Sequence, residues 1–249
     1  MRHGRSPTVK QVLFLIIAIV FLGVFCIQVI SESGSFNFKG DDGIQSGTVF
    51  VLENDIYQPY LIVDYDSGNY CLLRKNLLEQ QMVFNDAERY TSYYANSMID
   101  QYLNGPFLES LGAAVRDGIV ESQITIVADN SIGICGNETE TILRRVFLPS
   151  RMEITGYSTK MSPPEGRQFP YLKEEQRLTS NLDGTHCIWW LRSPNTWYDN
   201  ALFIITQDGS TNYVSTTGIS GDTVLGIRPA FWVSASVLTA DHDGNYYIQ

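Results

Sequence analysis

Cys187-Ile188-Trp189-Trp190-Leu191-Arg192-Ser193-Pro194 is the stretch from which the rest of the chain is best read. It packs two of the four tryptophans, one arginine and a proline stop into eight residues. A second segment of the same kind follows downstream, Gly226-Ile227-Arg228-Pro229-Ala230-Phe231-Trp232-Val233. Each sets one arginine inside an aromatic and aliphatic run. A guanidinium in such surroundings needs partners, because an unpaired buried charge costs several kcal/mol. The two segments are therefore expected to be neighbouring core strands, with Trp189, Trp190, Arg192, Arg228 and Trp232 as structural residues. Side chains alternate faces along a strand, so at least one of Trp189 and Trp190 belongs to the core. Anion binding by Arg192 or Arg228 is the alternative to carbonyl or carboxylate partners within the fold.

Between these segments the chain has more length than a short hairpin about Asp208-Gly209 needs. The surplus, Asn195 to Asn200 and Thr216 to Thr223, is expected to be displayed loop, where binding residues usually sit. Trp197, Tyr198 and Tyr213 offer stacking area at low entropic cost, and Asn195, Asn200 and Asp222 offer directional polar contacts. These six are the ligand-binding candidates. The competing reading folds the loop aromatics onto the core.

Working outward, Thr48 to Leu52 reads as a strand. Tyr60 to Tyr65 and Tyr70 to Arg74 read as a hairpin about the turn signal Asp66-Ser67-Gly68-Asn69. Tyr94, Met98, Ile99, Tyr102 and Leu103 share one helical face, with Ser92 or Ser97 as cap and Asn104-Gly105-Pro106 as stop. A second helix is expected from Pro106, with Phe107, Leu108, Leu111 and Val115 inward. Ile119 to Ala128 reads as a strand and Asp129 to Thr141 as a polar loop carrying the sequon Asn137-Glu138-Thr139. Glu153 to Asp183 reads as a surface excursion with one helical turn near Leu172 to Leu178. Strands, two helices, a long loop and strands again make an α+β order.

The N-terminal end has a different composition. Val12 to Ile30 is apolar apart from Gly23 and Gln28. A helix of that length is about 28 Å, close to the bilayer hydrocarbon thickness. Arg2, Arg5 and Lys10 precede it without any acid. The positive-inside bias then puts 1–11 in the cytoplasm, a transmembrane helix at 12–30, a Ser/Gly/Asp/Asn linker at 31–46 and the domain 47–249 outside. A cleaved signal peptide is the alternative, with an unusually long apolar region. The chain has 17 basic and 27 acidic residues, so without those three bases the remainder stands at −13. Such a charge argues against nucleic acid or an anionic membrane surface as partner of the domain.

Several short motifs occur in a familiar order: Asn96-Ser97 to Leu103-Asn104, Val146-Phe147-Leu148-Pro149-Ser150, Trp189 to Pro194, Asp208-Gly209 and Gly226 to Ala230. Together they resemble a bacterial domain family of unknown function, common in surface and secreted proteins of Gram-positive bacteria. The resemblance runs from about Gly47 to about Ser236. It implies a distantly C-type-lectin-like fold, akin to formylglycine-generating enzymes, in which two helices flank a twisted antiparallel sheet with a loop-rich ligand face. The Glu-Pro-Asn loop of calcium lectins is missing, Trp197-Tyr198-Asp199-Asn200 has the wrong order for their Trp-Asn-Asp strand, and Cys187 has no evident cysteine partner.

No metal or cofactor is expected. Cys71, Cys135 and Cys187 lack zinc spacing and permit at most one disulfide; the other reading makes them small buried hydrophobes. Asp241-His242-Asp243-Gly244 hints at calcium but lacks the twelve-residue loop and its terminal glutamate. His186 and His242 stand in no nucleophile motif. The function expected is a membrane-anchored, extracytoplasmic binding module for a glycan, peptide or protein. A structural envelope domain and a formylglycine-generating type of enzyme are the alternatives.

Overall fold

In the computed structural model, the turn at Asp66-Ser67-Gly68-Asn69 closes a hairpin between β2 (Ile56–Asp66) and β3 (Asn69–Arg74). Ser67 and Gly68 have φ of 49° and 81°, the pair of positive values that a type I′ hairpin turn requires. β1 (Thr48–Glu53) lies antiparallel against β2 and alternates half-buried with buried residues, as a strand with one core face must. The structure describes residues 47–85, 92–129, 135–181, 184–198, 200–215, 223–243 and 245–248.

Around this hairpin grows a sheet of eight strands. β11 (Ala230–Ser234) pairs antiparallel with β3, and β13 (Tyr246–Ile248) pairs parallel with β1. β4 (Ile119–Val120), β7 (Val146–Phe147) and β12 (Thr239–Ala240) complete it. A separate ribbon joins β5 (Ser122–Asp129) to β6 (Cys135–Arg144). A third sheet orders β10 (Thr211–Ser215), β9 (Ala201–Ile205) and β8 (Trp189–Pro194).

The two segments that open the sequence reading thus meet without sharing a sheet. Trp190 N donates to Gly226 O, and Gly226 N donates to Ile188 O, both at 3.1 Å. A Cβ on residue 226 would stand 2.4 Å from Leu77 Cδ1 and 3.1 Å from Ile188 O, so any larger residue here would make the Leu77 side chain shift. Beyond that bridge β11 belongs to the large sheet and β8 to the small one.

The expected α+β fold, a C-type-lectin-like twisted antiparallel sheet with two flanking helices, is overturned. The described residues are mostly β in curled sheets, and the helices are short. α1 (Met98–Tyr102) starts at Ser97, whose side chain accepts from Asp100 N. Pro106 does not stop it. A π turn, Leu103–Phe107, absorbs the missing proline N–H and leads into α2 (Leu108–Ser110). Leu111 is extended, and α3 (Ala113–Gly118) follows. Phe107, Leu108, Leu111 and Val115 are all buried, so the apolar face exists on a broken helix.

Two strand expectations also change. The run 119–128 divides at Glu121, where the chain leaves the large sheet through β4 and enters the ribbon through β5. The polar stretch expected as a loop holds β6, because its residues alternate along a mostly exposed strand paired with β5. The sequon Asn137-Glu138-Thr139 therefore sits in a strand. The tail at 1–11, the helix at 12–30 and the linker at 31–46 lie outside the described residues. Among the described residues no helix is long and apolar enough to cross a membrane.

Candidate functional site

Arg192 fixes the site from inside. It is fully buried in β8, and all five guanidinium N–H groups find acceptors. Nη1 donates to Leu148 O and Glu153 Oε2, both at 2.7 Å, and Nη2 donates to Glu153 Oε1 at 2.7 Å. Nε and Nη2 also donate to Thr125 O at 3.2 and 3.1 Å. Glu153 is aimed by α4 (Arg151–Thr155), whose first turn is a capping box. Ser150 Oγ accepts from Glu153 N at 3.0 Å, and Glu153 Oε2 accepts from Ser150 N at 2.9 Å. One short helix thereby delivers a carboxylate to a strand arginine.

Beside this pair lies Glu165, fully buried. Its Oε1 accepts from Val127 N at 3.2 Å, while Oε2 has no partner. Burial raises its pKa to about 7, against the pull of the Arg192 charge. Arg228 is satisfied differently. It donates to Arg74 O and Gln176 O at 2.7 and 2.8 Å and lies over the Trp189 ring at 5.1 Å. Desolvation lowers its pKa to about 9. Trp189 and Trp190 are both wholly buried.

On this scaffold the loop after Pro194 is held on three sides. Asn195 N donates to Ala201 O at 2.8 Å, and Thr196 N donates to Met161 O at 2.9 Å. Thr196 Oγ1 donates to Asn137 Oδ1 at 3.0 Å. Asn195 itself is buried and accepts from Trp197 N through Oδ1, so it shapes the loop from beneath rather than facing solvent. The loop presents Trp197 and Tyr198 outward, 64% and 49% exposed, and Tyr213 on β10 is 43% exposed beside them. Tyr198 stacks on Tyr213 with centroids 5.4 Å apart and 20° between planes. A hydrogen bond shared with Tyr198 raises the Tyr213 pKa. Tyr213 stands opposite Phe203 in register and meets its ring edge-on at 6.3 Å.

The same Phe203 ring carries a cation. Arg151, the first residue of α4, places its guanidinium carbon 4.6 Å from the ring centroid. Arg151, Phe203, Tyr213 and Tyr198 therefore form a continuous row. Its members come from a helix, two strands and a loop, each tied to the Arg192 core or to a sheet. Arg151 and Phe203 were not among the sequence candidates. Asn200 is half-buried and engaged within the chain, and Asp222 lies outside the described residues.

Residues 67–235 match the family described as a domain of unknown function, DUF6273. The chain belongs to that family. The match includes both arginine-bearing segments and every member of the row. In this DUF6273 chain, β1 and β2 precede the matched region, while β12 and β13 follow it. No curated protein and no solved structure matches the chain.

Other features of the DUF6273 chain are less suited to chemistry. An open groove of about 430 Å³ runs past Asn104, Glu121, Leu143 and Arg145, but its Arg144 is already paired to Asp100 at 2.7 Å. Trp232, expected in the core, is half-buried at a second groove of about 280 Å³ beside Glu121 and Gln123, because only one face of β11 is covered there. Cys71 is a buried free thiol, its pKa pushed well up by desolvation, and Cys187 is also free. Among the described residues no three His, Cys, Asp or Glu side chains gather to hold a metal. Asp241 accepts from Asp243 N and Asn245 N and so organises a turn. His186 bonds Ser180 Oγ at 3.1 Å on the surface.

Proposed function

We propose that the domain is a binding module whose ligand lies on Trp197, Tyr198 and Tyr213. The observation that carries this reading is three large aromatic rings held in the open, two by a loop whose backbone is pinned on several sides and one by strand β10. Exposed aromatics usually collapse onto a core; these are kept apart from it by bonded backbone and by the ring of Phe203 beneath. Pre-arranged rings lose little entropy on binding. Immobilised full-length chain should capture its ligand from native extract, and the double variant Trp197→Ala/Tyr198→Ala should not. Capture that survives in a folded double variant sinks the assignment.

The module is proposed to work outside the cytoplasm at the cell surface. The support is the apolar run 12–30 and the basic residues before it. Protease added to intact cells should digest the domain, and full protection rules the topology out.

A further inference from the structure

Arg192 and Arg228, both fully buried, and the half-buried Arg151 receive different treatment. Arg192 has a carboxylate and two carbonyls. Arg228 has two carbonyls and a tryptophan face. Arg151 has only the ring of Phe203: its Nε and Nη1 are closed off from water without a hydrogen-bond partner, and it makes no ion pair among the described residues. A guanidinium half withdrawn from water is expensive unless an acceptor completes it. The fold could have turned this side chain outward, as an exposed first-turn residue usually does. Instead it is laid against the same ring that carries Tyr213, at one end of the aromatic row.

We propose that the ligand is a saccharide bearing an isolated carboxylate, with its sugar rings on Tyr198, Tyr213 and Trp197 and its acid group at Arg151 Nη2, the guanidinium nitrogen that is not closed off from water. This rests on the binding-module reading above. Flat exposed rings match the C–H face of a pyranose. A peptide strand added along β10 is disfavoured, because the Tyr213 N–H is already taken by Asn212 Oδ1 at 2.8 Å. A polyanion is disfavoured by the chain's net charge of −10, which repels it at long range while one arginine must hold it at contact.

The test uses immobilised full-length chain and matched pairs of oligosaccharides, one neutral and one with a hexose oxidised to the hexuronate. The acidic member should bind about tenfold tighter, the size of a charge-assisted bond to guanidinium. Converting the uronate to its methyl ester should abolish that preference with the protein untouched. Arg151→Gln, with its melting temperature checked, should also remove the difference, and Arg151→Lys should keep part of it. Equal binding of the pair, a preference that survives esterification, or a preference that survives in folded Arg151→Gln overturns the proposal. Failure of every saccharide to bind overturns the ligand class alone, because capture of a ligand lost with Trp197→Ala/Tyr198→Ala is read separately.

Discussion

β8 and β10 are edge strands of one three-stranded sheet, and they are built on opposite principles. Every residue of β8 is buried, including an arginine, whereas β10 leaves Asn212 and Tyr213 exposed. In β8 the charge is consumed: Arg192 meets Glu153 through two 2.7 Å bonds and has nothing left to offer a ligand. At β10 the aromatic surface is presented, and Arg151, over the Phe203 ring that Tyr213 meets, is unmatched. An arginine inside a motif is thus no guide to function until its partners are counted. The conspicuous arginine supports the fold, and the inconspicuous one stands beside the open face.

If β8 is scaffold, substitutions there should unfold the chain. Arg192→Ala strands Glu153 in the interior, and breaking a buried pair costs about 3–5 kcal/mol. Trp190→Ala leaves a cavity costing about 3–5 kcal/mol, and also frees Met82 O, to which the indole donates at 2.9 Å. Urea denaturation should show midpoints far below wild type for both. A soluble variant with an unchanged midpoint would erase the contrast between the strands.

A smaller effect tests the buried side by pH. Glu165 holds its proton to about pH 7 in the folded chain, against an ordinary value of 4.5. Below 4.5 it is protonated in both states and costs nothing. Between 4.5 and 7 the unfolded chain releases the proton first, so stability falls as pH rises, and above 7 the loss is constant. The full loss is on the order of 3 kcal/mol. Glu165→Gln keeps an acceptor for Val127 N and removes the charge. It should flatten this part of the pH profile and raise stability at pH 8. Parallel profiles for wild type and variant would show that Glu165 is solvated in solution.

The same contrast explains what the sequence could disclose. β8 was legible because a dense apolar run with one arginine can only be interior, and the β2–β3 hairpin because Ser67-Gly68 announces its turn. The partner of Arg192 had a signal too: Ser150-Arg151-Met152-Glu153 is a capping-box pattern, obscured by Pro149 before it and the prolines after it. Other features have no local signature. Nothing at Glu121 marks the passage from one sheet to another. The π turn at Pro106 reads as a helix stop, and the alternating residues of β6 look like polar loop. Arg151 sits within that capping box, and only geometry shows that it lacks a partner. The exposure of Trp197, Tyr198 and Tyr213 was legible from loop surplus and residue type, while Asn195 was placed on the wrong side of its own loop, since a short amide serves a turn as well as a ligand.

The smallest stability effect is expected where the largest binding effect is. Trp197 is the more exposed of the two loop aromatics, and most of its ring area is already in water, so Trp197→Ala should change stability by less than about 0.5 kcal/mol. Tyr198 stacks on Tyr213, and an aromatic pair contributes about 0.5–1.5 kcal/mol beyond area burial. Tyr198→Ala should therefore cost more than Trp197→Ala, but far less than any β8 substitution. The backbone bonds of Asn195, Thr196 and Tyr198 do not depend on either ring, so the loop should keep its shape in both variants. Thermal melts of the two single variants and the double variant should shift by no more than a few degrees while ligand capture is lost. Melts that fall as far as those of Arg192→Ala would place these rings in the core, and β10 would then be scaffold like β8.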